Sequence, residues 1–350
     1  MSLTQKTSPL SGEAIATRLL DNMVVLIFLA LALALAMVSP LFLTPDNVLN
    51  VIRQVSVIII ISVGFTLVLG SGEIDLSVGA VMGLTGVFMA QMMVAGVPSF
   101  LAVILGLGIG VLLGFVNAAL ITVFNLNPLI TTLATAGVFR GFIYIVTNTK
   151  PVSGLPANFI FIGQGSVLGI PIPILIMIVS VIAIFILINR TVFGRRAIAI
   201  GGGRNAAIVS GVSLPRIRFA VYGVMGLMAA LAGAVQTARS ASAQVGAGDG
   251  IELDAIAAVV IGGTALWGGN ARIIGTVFGC LIVGMVANGL NLLAINANWQ
   301  VVAKGALILL AIVIDSVSTQ LVQQLRRRSR LRTERLQAVE SPATTEGVLQ

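Results

Sequence analysis

Val51-Ile-Arg-Gln-Val-Ser-Val-Ile-Ile-Ile-Ile-Ser-Val-Gly-Phe-Thr-Leu-Val-Leu69, followed at once by Gly70-Ser-Gly-Glu73-Ile-Asp75-Leu-Ser77-Val-Gly79, decides the fold class. The first stretch is long and apolar enough to cross a hydrocarbon core, which takes about 20 helical residues. It has many companions. Working outward, candidate spans fall at Met23–Phe42, Val51–Leu69, Leu76–Val94, Phe100–Phe124, Leu129–Val146, Pro171–Ile188, Phe219–Thr237, Ala255–Leu266, Ile273–Ala294 and Val301–Val317. Ala255–Leu266 is too short for a simple span and reads as broken or re-entrant. A membrane tolerates such a segment only inside protein or beside a water-filled cavity.

Composition agrees. Hydrophobic residues make up 57% and charged residues 9% of the chain, against about 25% charged in a soluble domain. The expected fold is an all-α integral membrane protein of about ten transmembrane helices.

Charge orients it. The net charge is +8, and six arginines lie between Arg190 and Arg218 with no acidic residue among them. Six more crowd Arg326 to Arg335. Short basic loops mark the cytoplasmic side, and ten spans with both termini inside put both basic blocks there. A nine- or twelve-helix reading breaks that agreement. Residues 1–22 are then a cytoplasmic N-terminal segment, 23–320 the transmembrane domain with a cytoplasmic loop at 190–218, and 321–350 a basic, disordered cytoplasmic tail. That tail can also meet anionic lipid. Charge confined to topology-setting loops argues against a nucleic-acid face.

Charged residues at membrane depth are costly and therefore informative. Glu73 and Asp75, with Ser77 after them, form an acidic-apolar-acidic triplet that opens a helix; Glu252 and Asp254 form another behind Gly246 and Gly248. Two readings stay open: the carboxylates cap and pair, or they line a solute pathway. On the ten-span count the two segments fall toward opposite sides, as an inverted internal repeat produces. Arg140 lies inside the fifth span, to pair with an acid or face a wet cavity, whereas Arg239, Arg272 and Lys304 near span ends are expected to snorkel. Glycines four apart, as at Gly106, Gly110 and Gly114, read as helix-packing faces.

The loop Gly194–Val212 carries a second pattern. Gly201 and Gly202 break the chain, and Arg204, Asn205, Ala206, Ala207 and Ser210 make about two helical turns before Gly211 ends them. Its small residues suit close docking in a partner's groove; a solvated basic loop is the other reading.

Several classes are excluded by what is missing. Histidine is absent and Cys280 is the single cysteine, with apolar neighbours, so no intrachain disulfide exists and no metal-ligand cluster or nucleophile beside a base is found. No G-x-x-x-x-G-K-[ST] phosphate loop occurs. The first 22 residues, polar or mixed, show no cleavable signal peptide.

Five motifs then appear in order: Glu73-Ile-Asp-Leu-Ser-Val-Gly79; Asn127-Pro-Leu-Ile-Thr-Thr-Leu133; Ala199-Ile-Gly-Gly-Gly-Arg-Asn-Ala-Ala207 with Ser210-Gly-Val212; Glu252-Leu-Asp-Ala-Ile-Ala-Ala-Val-Val-Ile-Gly-Gly-Thr264; and Gly275-Thr276, Gly279, Asn288-Gly-Leu290 and Gln300. Together, over about residues 20 to 320, they closely resemble permeases of the ribose-type ABC importer family, which also serves other pentoses, hexoses and polyols. The family usually has two glycines before the first Ile-Asp pair; here Glu73 follows Gly72, adding a carboxylate. The resemblance implies a homodimeric permease core docked on two cytoplasmic ABC ATPase subunits and fed by a periplasmic sugar-binding protein. It implies that Gly201–Val212 is the coupling helix, and that ATP and Mg sit on the partner ATPase, with no cofactor in this chain. An ion-coupled secondary transporter and a passive facilitator are the alternatives.

Overall fold

In lipid an apolar chain can satisfy its backbone only within itself, so long apolar runs become helices. The computed structural model describes residues 23–296, together with 298–299, 301–303, 305–306, 309 and 313. Helix α1 spans Met23–Val38, α2 Pro45–Gly70, α3 Val78–Val94, α4 Ser99–Val123 and α5 Pro128–Thr147. A short helix, α6 (Ala157–Gln164), and a two-strand hairpin, β1 (Ser166–Val167) with antiparallel β2 (Ile170–Pro171), lead into α7 (Ile172–Arg190). Then come α8 (Val192–Gly202), α9 (Arg204–Val209), α10 (Leu214–Arg239), α11 (Ile251–Ile261) and α12 (Ile273–Leu292).

Six of these, α2, α4, α5, α7, α10 and α12, are long and apolar enough to cross a membrane, while α1 and α3 are shorter apolar helices. The tenth candidate span, Val301–Val317, lies largely outside the described residues, as do residues 1–22, Lys304, Gln300 and the Arg326–Arg335 tail. The eighth candidate span is α11, only 11 residues long. After α10 the chain doubles back through 240–250, where Gly248 and Gly250 take φ of +84° and +75°. Those left-handed turns are cheap only for glycine.

The core is built around α2, α10 and α3, whose central residues are almost wholly buried; α4, α5 and α7 bury one narrow face each and present Leu, Ile, Val and Phe outward. With lipid outside, such helices are held by close packing rather than by hydrophobic drive. A Cβ at Gly110 or Gly114 of α4 would collide with the Gly226 or Tyr222 carbonyl of α10. Gly275 and Gly279 of α12 approach Gly262 and Ala258 of α11 in the same way. The packing is reciprocal: α3 lies on α4 and α10, and α11 on α12 and α2.

Candidate functional site

The first acidic segment turns at Gly72 (φ +75°) and runs into α3. Glu73 is buried and ion-paired to Arg218 in the first turns of α10. The guanidinium donates from Nε at 2.8 Å and from Nη2 at 2.6 Å, both to Oε1. Tyr222 closes the pair, donating its hydroxyl to the Ile74 carbonyl at 2.9 Å.

Asp75 is also buried, accepting from the Ser77 amide at 2.9 Å and the Ser77 hydroxyl at 2.6 Å in the turn that leads into α3. The network continues outward. Asn117 of α4 donates to Ser77 Oγ at 2.7 Å and accepts from Thr135 of α5 at 2.7 Å, while the Leu76 amide donates to Thr132 Oγ1 at 3.0 Å. Asn127 caps α5 by accepting from the Leu129 and Ile130 amides. Fully satisfied polar chains of this kind fix one packing of the helices around them. Both carboxylates of the first triplet are thus engaged by internal partners.

The second segment is arranged differently. Glu252, half-buried, and Asp254, buried, stand in the first turn of α11, where carboxylates complement the helix dipole. Gly79 of α3 lies directly against Gly248 and the Glu252 carboxylate, so the two acidic segments meet there. Arg140 of α5 clamps the doubled-back loop, ion-paired to Asp249 and donating to the Ala247 carbonyl at 2.9 Å. Its partner is an acid outside both triplets.

Beside this loop, between α2 and α10, opens a cavity of about 410 Å³ lined by Gln54, Met82, Gln236, Arg239, Gln244 and Asp254 among others. Of these only Asp254 was expected on a pathway. Glu73, Asp75, Ser77 and Glu252 do not line it. Arg239, at the end of α10, lines this cavity. The glutamines carry one sequence signal, an amide within an otherwise apolar span, which the charged triplets overshadow.

At the Arg-rich end, Gly201 is wedged between Gly70 and Gly269, so close that a Cβ on it would strike the backbone of both. The Gly269 amide donates to the Gly70 carbonyl at 3.0 Å. Helix α9 follows, and Gly211 (φ +82°) ends it, with the Val212 amide donating to the Ala207 carbonyl. Arg204, Asn205, Ala206, Ser210 and Gly211 are exposed, as is Gly202. Ala207 is not: it is 6% exposed, facing its own chain, whereas Val209 is 89% exposed. Of the small-residue set only Ala207 turns inward; Ala206, Ser210 and Gly211 share the exposed face with Ile208 and Val209.

A short helix set among spanning helices, beside a polar cavity, is an arrangement that membrane transporters use. Residues 47–312 match the family described as branched-chain amino acid transport system / permease component, and the chain belongs to that family. Ribose import permease protein RbsC of Bacillus subtilis (strain 168) is 46% identical over 287 residues, 81% of this chain and 89% of that protein. D-allose transport system permease protein AlsC of Escherichia coli (strain K12) is 38% identical over 294 residues, 82% of this chain and 90% of that one. L-arabinose ABC transporter permease protein AraH of Azospirillum brasilense is 35% identical over 320 residues, covering 89% and 94%. No solved structure matches. The chain is a multi-pass inner-membrane permease subunit of an ABC importer, a transport component rather than an enzyme. Membership implies an ATPase and a solute-binding protein as partners.

Proposed function

We propose that this chain carries a monosaccharide or related polyol across the bacterial inner membrane, driven by ATP and Mg bound on a separate cytoplasmic ATPase. The observation that carries this reading is 46% identity over 81% of the chain to a ribose import permease. In this reading the Arg190–Arg218 end faces the cytoplasm, both termini lie inside, and ten helices include one outside the described residues. The reciprocal packing of α2–α4 with α10–α12 supports an inverted repeat, each half contributing one 26-residue helix and one shorter helix behind it.

Helix α9 is the coupling helix, docking on the ATPase through Ile208 and Val209. Gly201, Gly70 and Gly269 then pass its displacement to the first acidic turn and the α11–α12 loop, because backbones in direct contact cannot slide independently. Two copies of the chain form the translocating core, and a periplasmic binding protein delivers the sugar. Glu73 and Asp75, held by internal partners, are poor coupling carboxylates for an ion-driven carrier, and the identity to ABC permeases favours the ATP-driven reading.

The test is purification from membranes of a strain co-expressing the neighbouring genes. Recovery of an ATP-hydrolysing subunit, with ATP-dependent sugar uptake on reconstitution, is expected. A stable complex that lacks any ATPase yet still moves solute into liposomes overturns the proposal.

A further inference from the structure

The cavity between α2 and α10 carries polar groups that the fold itself does not satisfy. Among the described residues, the Gln54 amide has no hydrogen-bond partner and the Arg239 guanidinium has no acidic or hydrogen-bonding partner. Gln236 donates to Ser240 Oγ at 3.3 Å and Gln244 to Ser242 Oγ at 2.6 Å, which leaves each amide oxygen without a donor among the described residues.

Gln54, Gln236 and Arg239 are half-buried and Gln244, on the 240–250 loop, is exposed, so their free donors and acceptors are open to water or to a solute that replaces it. The set is specific in kind. Each glutamine offers a donor and an acceptor, Arg239 offers several donors in one plane, and the Asp254 carboxylate offers acceptors. Hydroxyls answer both, since each donates once and accepts twice. A simple cation is opposed by Arg239 and an anion by Asp254.

We propose that this cavity is the solute site on the side away from the Arg-rich end, where Gln54 and Arg239 hydrogen-bond neighbouring hydroxyls of a neutral polyol. The inference rests on the importer reading and deepens it. It assigns first contact to three amides and an arginine, and leaves the Glu73–Asp75 segment to hold the helices together. A cavity of about 410 Å³ accommodates a single monosaccharide with room for bridging water.

The only cysteine, Cys280, is fully buried, so a cysteine placed in the cavity reports alone. Ile58 lines the cavity without being one of the proposed contacts. In the complete transporter, reconstituted in vesicles, Ile58→Cys is labelled with a membrane-impermeant maleimide in the presence of D-ribose, D-allose, L-arabinose or L-leucine. At least one sugar is expected to slow labelling about tenfold near ten times its dissociation constant. L-leucine is expected to have no effect. Gln54→Leu and Arg239→Met, each judged folded by co-purification with the ATPase, are expected to abolish protection.

Unchanged labelling with every sugar overturns the proposal, as does protection that survives both substitutions or protection by L-leucine alone. A transporter that takes up none of the three sugars instead fails the reading that its solute is a monosaccharide. The cavity proposal then stands or falls on the labelling.

Discussion

Breaking the Glu73–Arg218 pair is the sharpest test of how the first acidic segment is held. Both side chains are nearly inaccessible, 7% and 5% exposed, and Arg218 approaches one carboxylate oxygen through two nitrogens at 2.8 and 2.6 Å. Glu73→Gln keeps the shape and removes the charge, leaving Arg218 buried without a counter-ion. Removing one member of a buried pair costs on the order of 3–5 kcal/mol, because the remaining charge cannot reach water. Removing both is far milder, since apolar residues of similar volume often replace a buried pair at little cost. Glu73→Met with Arg218→Met is therefore expected to lie nearer wild type than either single change.

The assay is built into the chain. Cys280 is buried, so a thiol-reactive dye reports unfolding of detergent-solubilised protein across a denaturant series. Each single variant should shift the midpoint strongly, and the double-mutant cycle should return a coupling of several kcal/mol, beyond the roughly 0.3–0.5 kcal/mol scatter of independent sites. Additive single and double effects, or a Glu73→Gln cost below about 1 kcal/mol, would refute the reasoning.

Three further outcomes follow from the same geometry. Gly110→Leu should abolish recovery of folded protein, because its side chain meets the α10 backbone, whereas Gly108→Leu on the same helix faces open space and should be tolerated; detergent-stable yield separates them. Asn117→Leu strips Ser77 and Thr135 of their shared partner and should cost about 1–3 kcal/mol in the Cys280 dye assay. Val209→Glu should reduce ATPase co-purification without lowering the amount of folded permease, whereas Ala207→Arg should lower the permease itself, as immunoblots of membranes would show.

The apolar runs alone determined that this is a helical membrane protein, and they located nearly every spanning helix. The reason is local: lipid offers no hydrogen bonds, so helix formation there depends on the residues of one segment and not on its neighbours. Even so, the ends drifted where polar residues extend a helix beyond its apolar run. The second span was expected from Val51, but Pro45 and Asp46 start α2 with a favourable first turn. Helices α6 and α8 and the hairpin are too short to read as spans, so long apolar runs do not mark them. The break at the eighth span was visible because Ala255–Leu266 is too short, and the end of α9 because Gly211 can turn left-handed.

Which polar groups meet was decided only by tertiary structure. An acid ahead of a helix has one local appearance whether it caps, pairs or lines a cavity. For Glu73 the deciding partner, Arg218, lies 145 residues away, inside a block whose sequence meaning was topological. Arg140 could have reached several acids and found Asp249. Gln54 and Arg239 acquire meaning only because α2 packs against α10 and brings them to one cavity. Local chemistry fixes what each segment is; long-range packing fixes which charges are neutralised, and therefore which polar groups remain for a solute.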